Sequence, residues 1–408
     1  MTDRTFDTAA VGDDPYARHN AGVLTAAAAI NGSPPAICIT LGGLAGIYLL
    51  GPDKSLATLP VSGFNLGVAL GTIPAALLMR QIGRRYGFMS GTVFGALGGI
   101  VAGFAVLGDR FAVLVAGLFL VGFATAFAQQ YRFAAADSGD DRFRAKAISL
   151  VMMGGIASAV IGPQTVIFTR DLLAPIPFAG SFFAITVLCL IGFSVLALLR
   201  GGAREAPKQT TESGGRPLSE IARQPRFIVA VLCGMGSFAL MALVMTAAPL
   251  AMVACGLGED NAALGIQWHV LAMFGPSFIT GALIARFGVE VIITIGMALL
   301  AGCSLVALSG IDLAHFWIAL VLLGVGWNFG FIGATAMLTQ TYRPEERGKV
   351  QGFNDFLIFG MVAVASFASG SLFTNFGWEW INMVVFPVVA LCCIGLIVAV
   401  IAKRRAAA

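Results

Sequence analysis

Residues Arg200–Arg226 read RGGAREAPKQTTESGGRPLSEIARQPR. Lys, Arg, Glu, Ser, Thr, Gly and Pro dominate, and little in the stretch could build a core. On either side lie roughly 200 residues of nearly unbroken apolar sequence. A polar segment at the midpoint of such a chain reads as a linker between two membrane-embedded halves.

Composition agrees. The 408 residues are 58% hydrophobic and only 11% charged, whereas a soluble domain carries about a quarter charged residues. So little charge cannot cover a water-facing surface. The 51 glycines suit membrane helices, where small residues allow close approach. The seven cysteines form no CxxC or Cys/His ligand spacing. Neither a disulfide framework nor a metal site is expected, and no cofactor. The net charge of +4 resides in loop Lys and Arg and carries no nucleic-acid signal.

A spanning helix needs about 20 mostly apolar residues. Twelve such runs are predicted, at 23–50, 57–79, 87–107, 111–131, 146–168, 180–199, 227–252, 262–285, 290–309, 313–335, 350–374 and 382–402. The first is interrupted by Asn31, Gly32, Ser33, Pro34 and Pro35. The expected layout is a cytoplasmic tail over 1–22, a six-helix bundle over 23–199, a cytoplasmic linker over 200–226, a second bundle over 227–402 and a tail over 403–408. With both ends inside, all of the 25 basic residues except Lys54, Arg110 and Arg170 fall on the cytoplasmic side, as the positive-inside rule requires. Placement in a bacterial inner membrane follows as an expectation.

The halves echo each other. Arg144-Ala-Lys-Ala recurs as Arg347-Gly-Lys-Val, and Ala76-Leu-Leu-Met-Arg-Gln-Ile-Gly83 resembles Ala282-Leu-Ile-Ala-Arg-Phe-Gly288. A duplicated six-helix unit accounts for these matches, and repeat-built transporters hold substrate near the midplane between the repeats.

Two six-helix halves, a central cytoplasmic linker and inside ends resemble the major facilitator superfamily. The sharpest local likeness is Met79-Arg-Gln-Ile-Gly-Arg-Arg85, similar to the signature of the family's loop between helices 2 and 3. Gly83, Arg84 and Arg85 match it, while its acidic position falls on Arg80. The resemblance implies an all-α integral membrane fold of two pseudo-symmetric bundles, and a gating role for Gly83, Arg84 and Arg85. Arg132, Arg144 and Arg347 join them as gating candidates on the inner side. The resemblance also implies a cavity lined by helices 1, 4, 7 and 10. The family's drug-antiporter signature on helix 4 is not evident; Gln129-Gln-Tyr-Arg132 stands at its inner end instead.

Polar groups inside spans are costly and mark candidate sites. Asp355 falls about 12 Å inside helix 11 by helical rise, and its repeat counterpart is Met152. It is a candidate proton carrier, with pairing to Arg132 or Arg144 as the structural alternative. His269 lies well inside a predicted span, whereas His315 stands beside an outer loop at the edge of the tenth; His269 is the second proton-coupling candidate, because imidazole titrates near physiological pH. Trp327 and Asn328, set among glycines on helix 10, are expected to line the substrate cavity. Gln267, Asn354, Asn31, Gln129 and Gln164 are weaker cavity candidates, since membrane helices use amides as ordinary interhelical bonds.

No nucleotide-binding loop or hydrolase motif is found, so an enzyme is not expected. The function predicted is a monomeric secondary active transporter for a small organic molecule. It is coupled to protons and either exports drug-like compounds or imports. A dedicated uptake carrier for a vitamin-like or aromatic nutrient is the alternative. A channel or a non-transporting receptor is the reading from another class, and no filter or soluble signalling domain favours it.

Overall fold

The computed structural model describes residues 16–136, 141–200 and 215–407. Most of the expected N-terminal tail and linker residues 201–214 lie outside them. The described residues contain helices and no strand. In the first half these are α1 (Ala17–Asn31), α2 (Pro34–Leu49), α3 (Leu59–Ile82), α4 (Arg84–Leu107), α5 (Phe111–Ala128), α6 (Tyr131–Ala136), α7 (Asp141–Thr169) and α8 (Ala179–Leu196). A short α9 (Leu218–Ala222) precedes α10 (Pro225–Ala254), α11 (Glu259–Phe274), α12 (Ser277–Phe287), α13 (Val289–Ser309), α14 (Leu313–Thr339), α15 (Arg347–Met383) and α16 (Val385–Ala407).

Twelve crossings emerge once the breaks are understood. The first span is α1 plus α2, divided at the Gly32–Ser33 step before Pro34 and Pro35, because proline supplies no amide hydrogen. The eighth is α11 plus α12, bent by 42° at Gly275–Pro276. The continuous apolar run Lys349–Ile401 has 53 residues, about 80 Å of helix by rise, far more than one crossing of about 30 Å. Gly377 divides it at φ 81° and ψ −174°. That backbone region is essentially open to glycine alone, so the eleventh span ends there and the twelfth begins.

The internal duplication appears in the backbone as well. Gly83 (φ 82°, ψ 160°) joins the second span to the third, and Gly288 (φ 89°, ψ 153°) joins the eighth to the ninth. These are the glycines that end the two matching sequence segments. Nothing lies within 4 Å of where a Cβ would stand on Gly83, so backbone sign and not space demands glycine there.

The first helix starts at Ala17, earlier than the apolar run. Its polar first turns bind the end of the sixth span: His19 Nε2 lies 2.9 Å from Leu198 O, and Asn20 exchanges two hydrogen bonds with the backbone of Arg200. The C-terminal end of the linker is also fixed. Glu346, fully buried in the loop between the tenth and eleventh spans, accepts from Arg216 Nε (3.0 Å), Arg216 Nη2 (2.9 Å), Arg216 N (2.7 Å) and Arg343 N (2.9 Å). The linker and the first turn of α1 share one face of the bundle, the linker face. The opposite side is the distal face.

Candidate functional site

The two halves meet along α3 with α15, α7 with α11, and α2 with α10. Their described polar contacts gather toward the distal ends of these helices. Gln164 Nε2 donates to Gln267 Oε1 at 3.1 Å, joining α7 to α11. Ser366 on α15 lies 3.5 Å from Ser62 on α3 and 3.3 Å from Thr246 on α10, all three buried. Further out, Arg170 at the end of the fifth span reaches Asp260 at 2.9 Å and Glu259 at 3.4 Å. Both acids occupy the first turn of α11, where carboxylates also favour the helix N-terminus. Thr374 donates to Lys54 O at 3.3 Å. These contacts form a distal seal. A cleft of about 540 Å³ lies along its outer part, lined by Lys54, Arg170 and Glu259 with Tyr48, Phe178 and Phe373 in its wall.

Below the seal, the second half presents an aromatic wall. Trp327 and Phe331, four residues apart on α14, stack at 5.1 Å with an interplanar angle of 15°. Phe238 of α10 meets both edge-on, at 5.3 and 5.1 Å, and Phe359 of α15 at 5.7 Å. Phe274, the last residue of α11, lies 6.4 Å from Trp327. Such offset and T-shaped arrangements suit the ring quadrupole. Phe238, Phe274, Phe331 and Phe359 are only partly buried, so part of their surface remains available. Trp327 is 7% exposed, and its Nε1–H has no hydrogen-bond partner among the described residues. A buried donor without a partner is costly, and this one stands beside a flat apolar wall. Gln267 and Phe274 are seven residues apart, hence on one face of α11 and about 10 Å apart along it.

The remaining sequence candidates fall in different places. Asn328, next to Trp327, is fully buried against the eighth span. Its Nδ2 donates to Met273 O (2.6 Å) and Ser277 Oγ (2.7 Å), and its Oδ1 accepts from Thr280 Oγ1 (2.6 Å). His269 is also fully buried, with Nδ1 2.8 Å from Leu320 O. A carbonyl only accepts, so Nδ1 carries the hydrogen. Asn31 is enclosed within the first half, where it donates to the Tyr131 hydroxyl at 3.1 Å beneath the Phe88 ring. Gln129 is exposed at the step between α5 and α6.

Asp355 is half-buried on α15 and accepts from Asn354 Nδ2 at 3.1 Å. The guanidinium of Arg132, from the other half, acts on it electrostatically. Arg85 Nη2 donates to Ala197 O at 2.7 Å, at the C-terminus of the sixth span, where a cation also meets the negative end of the helix. Arg84 is half-buried beside it. The side chains of Arg144 and Arg347 lie outside the described part of the structure.

Sequence reasoning missed the four phenylalanines of the wall, because 31 Phe in an apolar chain carry no signal of convergence. It also missed the Arg170 cluster, although Arg170 stood out as one of three basic residues on the distal side.

Two helical bundles that meet along a seam in an apolar chain, with an aromatic wall on one side of it, are the architecture of a membrane carrier. The sequence profile of the Major Facilitator Superfamily matches residues 22–357 and 268–408, and the chain belongs to that superfamily. It is a multi-pass membrane transporter of a small molecule. The chain is 52% identical over 395 residues to the riboflavin transporter RfnT of Brucella anthropi, covering 97% of this chain and 99% of that one. It is 30% identical to the uncharacterized MFS-type transporter YddS of Bacillus subtilis, over 82% of this chain and 79% of that one. Solved structures of the same fold include the E. coli xylose transporter XylE in a partially occluded inward-open conformation. It matches with a TM-score of 0.68 at 12% identity, over 92% of this chain and 96% of that one. The nucleoside transporter NupG matches at 0.72 and 10%, over 94% and 98%.

Proposed function

We propose that this transporter carries riboflavin, or a closely related flat heteroaromatic vitamin, into the cytoplasm across a bacterial inner membrane. The observation that carries the reading is the aromatic wall of Phe238, Phe274, Trp327, Phe331 and Phe359 beside the unpartnered Trp327 Nε1–H. A flavin offers a planar ring for such a wall and polar edges for a donor. Its hydroxylated side chain suits the half-buried amides of Gln164 and Gln267. The 52% identity to a riboflavin transporter over nearly the whole of both chains supports the same assignment. The linker face is cytoplasmic in this reading, consistent with its basic residues, and the distal seal makes this the inward-facing arm of an alternating-access cycle.

In the same proposal Asp355 is the proton carrier, acting against Arg132 across the two halves. His269 is assigned a structural part instead. Its ring is enclosed and its Nδ1–H is committed to Leu320.

The test is a titration of the purified protein with riboflavin, read by quenching of flavin fluorescence, beside unrelated lipophilic dyes and drugs. Riboflavin binding that a ring-only flavin competes away is the expected result. Binding of several unrelated lipophilic compounds without riboflavin would overturn it in favour of drug export. Trp327→Ala should weaken riboflavin binding by about tenfold, equivalent to about 1.4 kcal/mol.

A further inference from the structure

The eighth span is broken where substrate-facing aromatics begin, and one side chain from the tenth span holds both sides of the break. Pro276 lacks an N–H, so the α-helical ladder of α11 cannot run on through it. The Asn328 amide enters at this point. Its two hydrogens go to Met273 O of α11 and Ser277 Oγ of α12, and its oxygen receives the Thr280 hydroxyl. Thr280 also lies 2.8 Å from Pro276 O, so its single hydrogen is shared. Thr280 is the only buried residue of α12; Phe278 and Ile279 are more than half exposed. Asn328 therefore holds the inner half of the eighth span at two points, Ser277 and the buried Thr280, beside the apolar packing of Ile284.

The approach that permits this is built into α14 at four-residue spacing. Leu320 O takes the His269 Nδ1–H. At Gly324 a Cβ would lie 2.5 Å from His269 O and 2.9 Å from Met273 N, so any larger residue would push the two backbones apart. Asn328 follows one turn later. Phe274 and Gly275 sit between Met273 and Ser277, inside the span of the Asn328 contacts, and Phe274 is the ring that faces Trp327.

We infer that Asn328 is a positioning residue: it pins the Gly275–Pro276 break and thereby fixes Phe274 in the aromatic wall and α12 in its bent course. It does not need to touch the substrate. The substrate part of this inference rests on the flavin reading; the hinge part does not.

The experiment uses the full chain in lipid nanodiscs, with nitroxide labels at the exposed positions Ile279 on α12 and Ile318 on α14. The interspin distance distribution is measured without ligand for the unsubstituted label pair, Asn328→Ala, Thr280→Val and both together. Thr280→Val keeps shape and removes only the hydroxyl, which protects the test if Asn328→Ala does not fold. The expected result is a narrow distribution for the parent pair. Each single variant should broaden it, and the double variant should be no broader than Asn328→Ala, the non-additivity of a shared contact.

A distribution as narrow in Asn328→Ala as in the parent, or two effects that simply add, would overturn the inference. In parallel, Asn328→Ala should raise the riboflavin Kd about tenfold, while Asn328→Asp, which keeps the acceptor for Thr280, recovers part of that loss. Weakened binding with an unchanged distance distribution would also count against the pin. If the parent protein does not bind riboflavin at all, the functional reading fails and the distance measurement still decides the hinge.

Discussion

Trp327 and Asn328 are neighbours that face opposite tasks, about 100° apart on one helix. The tryptophan keeps a buried N–H without a protein partner, and the asparagine spends its whole amide on the eighth span. Asp355 differs from both, being half-buried, in reach of Arg132's field and next to a donor. Asp355→Asn is expected to abolish proton-driven accumulation in proteoliposomes while leaving riboflavin counterflow intact; full gradient-driven uptake by that variant would remove Asp355 from the coupling. Glu346 lies outside the spans. The Arg216 side chain and the backbone amides of Arg343 and Arg216 hold its carboxyl well below the usual range, at about 2. A carboxyl depressed on folding stabilises the protein fully above its unfolded value near 4.5 and loses that contribution as pH falls toward 2. Glu346→Gln should therefore lower Tm by a few degrees at pH 7. The gap to the parent should close as pH drops below about 4.5, and an equal gap at pH 7 and pH 3 would contradict this account.

At the level of elements, the distal seal joins a polar inner layer to a charged outer one. The Ser62–Ser366–Thr246 hydroxyls are short side chains that let the backbones approach closely, and the longer Gln164–Gln267 amides bridge α7 to α11. Arg170 with Glu259 and Asp260 spans the rim, where Arg170 is 18% exposed and Asp260 51%. Partly exposed ion pairs contribute about 0–1 kcal/mol, so Arg170→Gln should shift the balance toward a distal-open state by no more than about fivefold. Ser366→Cys, at a buried position and in a background with the exposed distal Cys255 replaced, reads this directly. Its labelling by a polar maleimide from the distal side should speed up in Arg170→Gln, and high salt should produce part of the same effect in the parent. No change in labelling would mean that the Arg170 ion pairs do not hold this face closed.

For the whole molecule, each half has its own core, and the seam between them mixes short polar contacts with apolar ones such as Leu250 and Ala263 against the first half. The first half ties its ends together through His19, Asn20 and Arg85 onto the end of the sixth span. The second half ties its first end to its inner loops, through Arg226, which binds Glu290 at 3.0 Å, and through Glu346 with the linker residue Arg216. Pairs inside one half are built to persist, while those across the seam are few and exchangeable. That division suits two bundles that rock about a site between them, as the proposed flavin site beside the aromatic wall requires.

The spans and the duplication were legible in the sequence, because burial in lipid is a local property. An apolar run of about 20 residues must cross and basic loops stay on one side, whereas the positive φ of Gly83 and Gly288, glycines the echoed segments merely contain, is seen in the structure. Proline and glycine also announced the break in the first span. The site was legible only as single polar residues at a depth. Asn328 and His269 both stood out, yet their commitment to Met273, Ser277, Thr280 and Leu320 depends on how closely α14 approaches the eighth span. The convergence of Phe238, Phe274, Phe331 and Phe359 on Trp327 likewise joins four helices far apart in sequence. Which side chains meet is set by interhelical distance and rotation, and only the packed tertiary structure decides those.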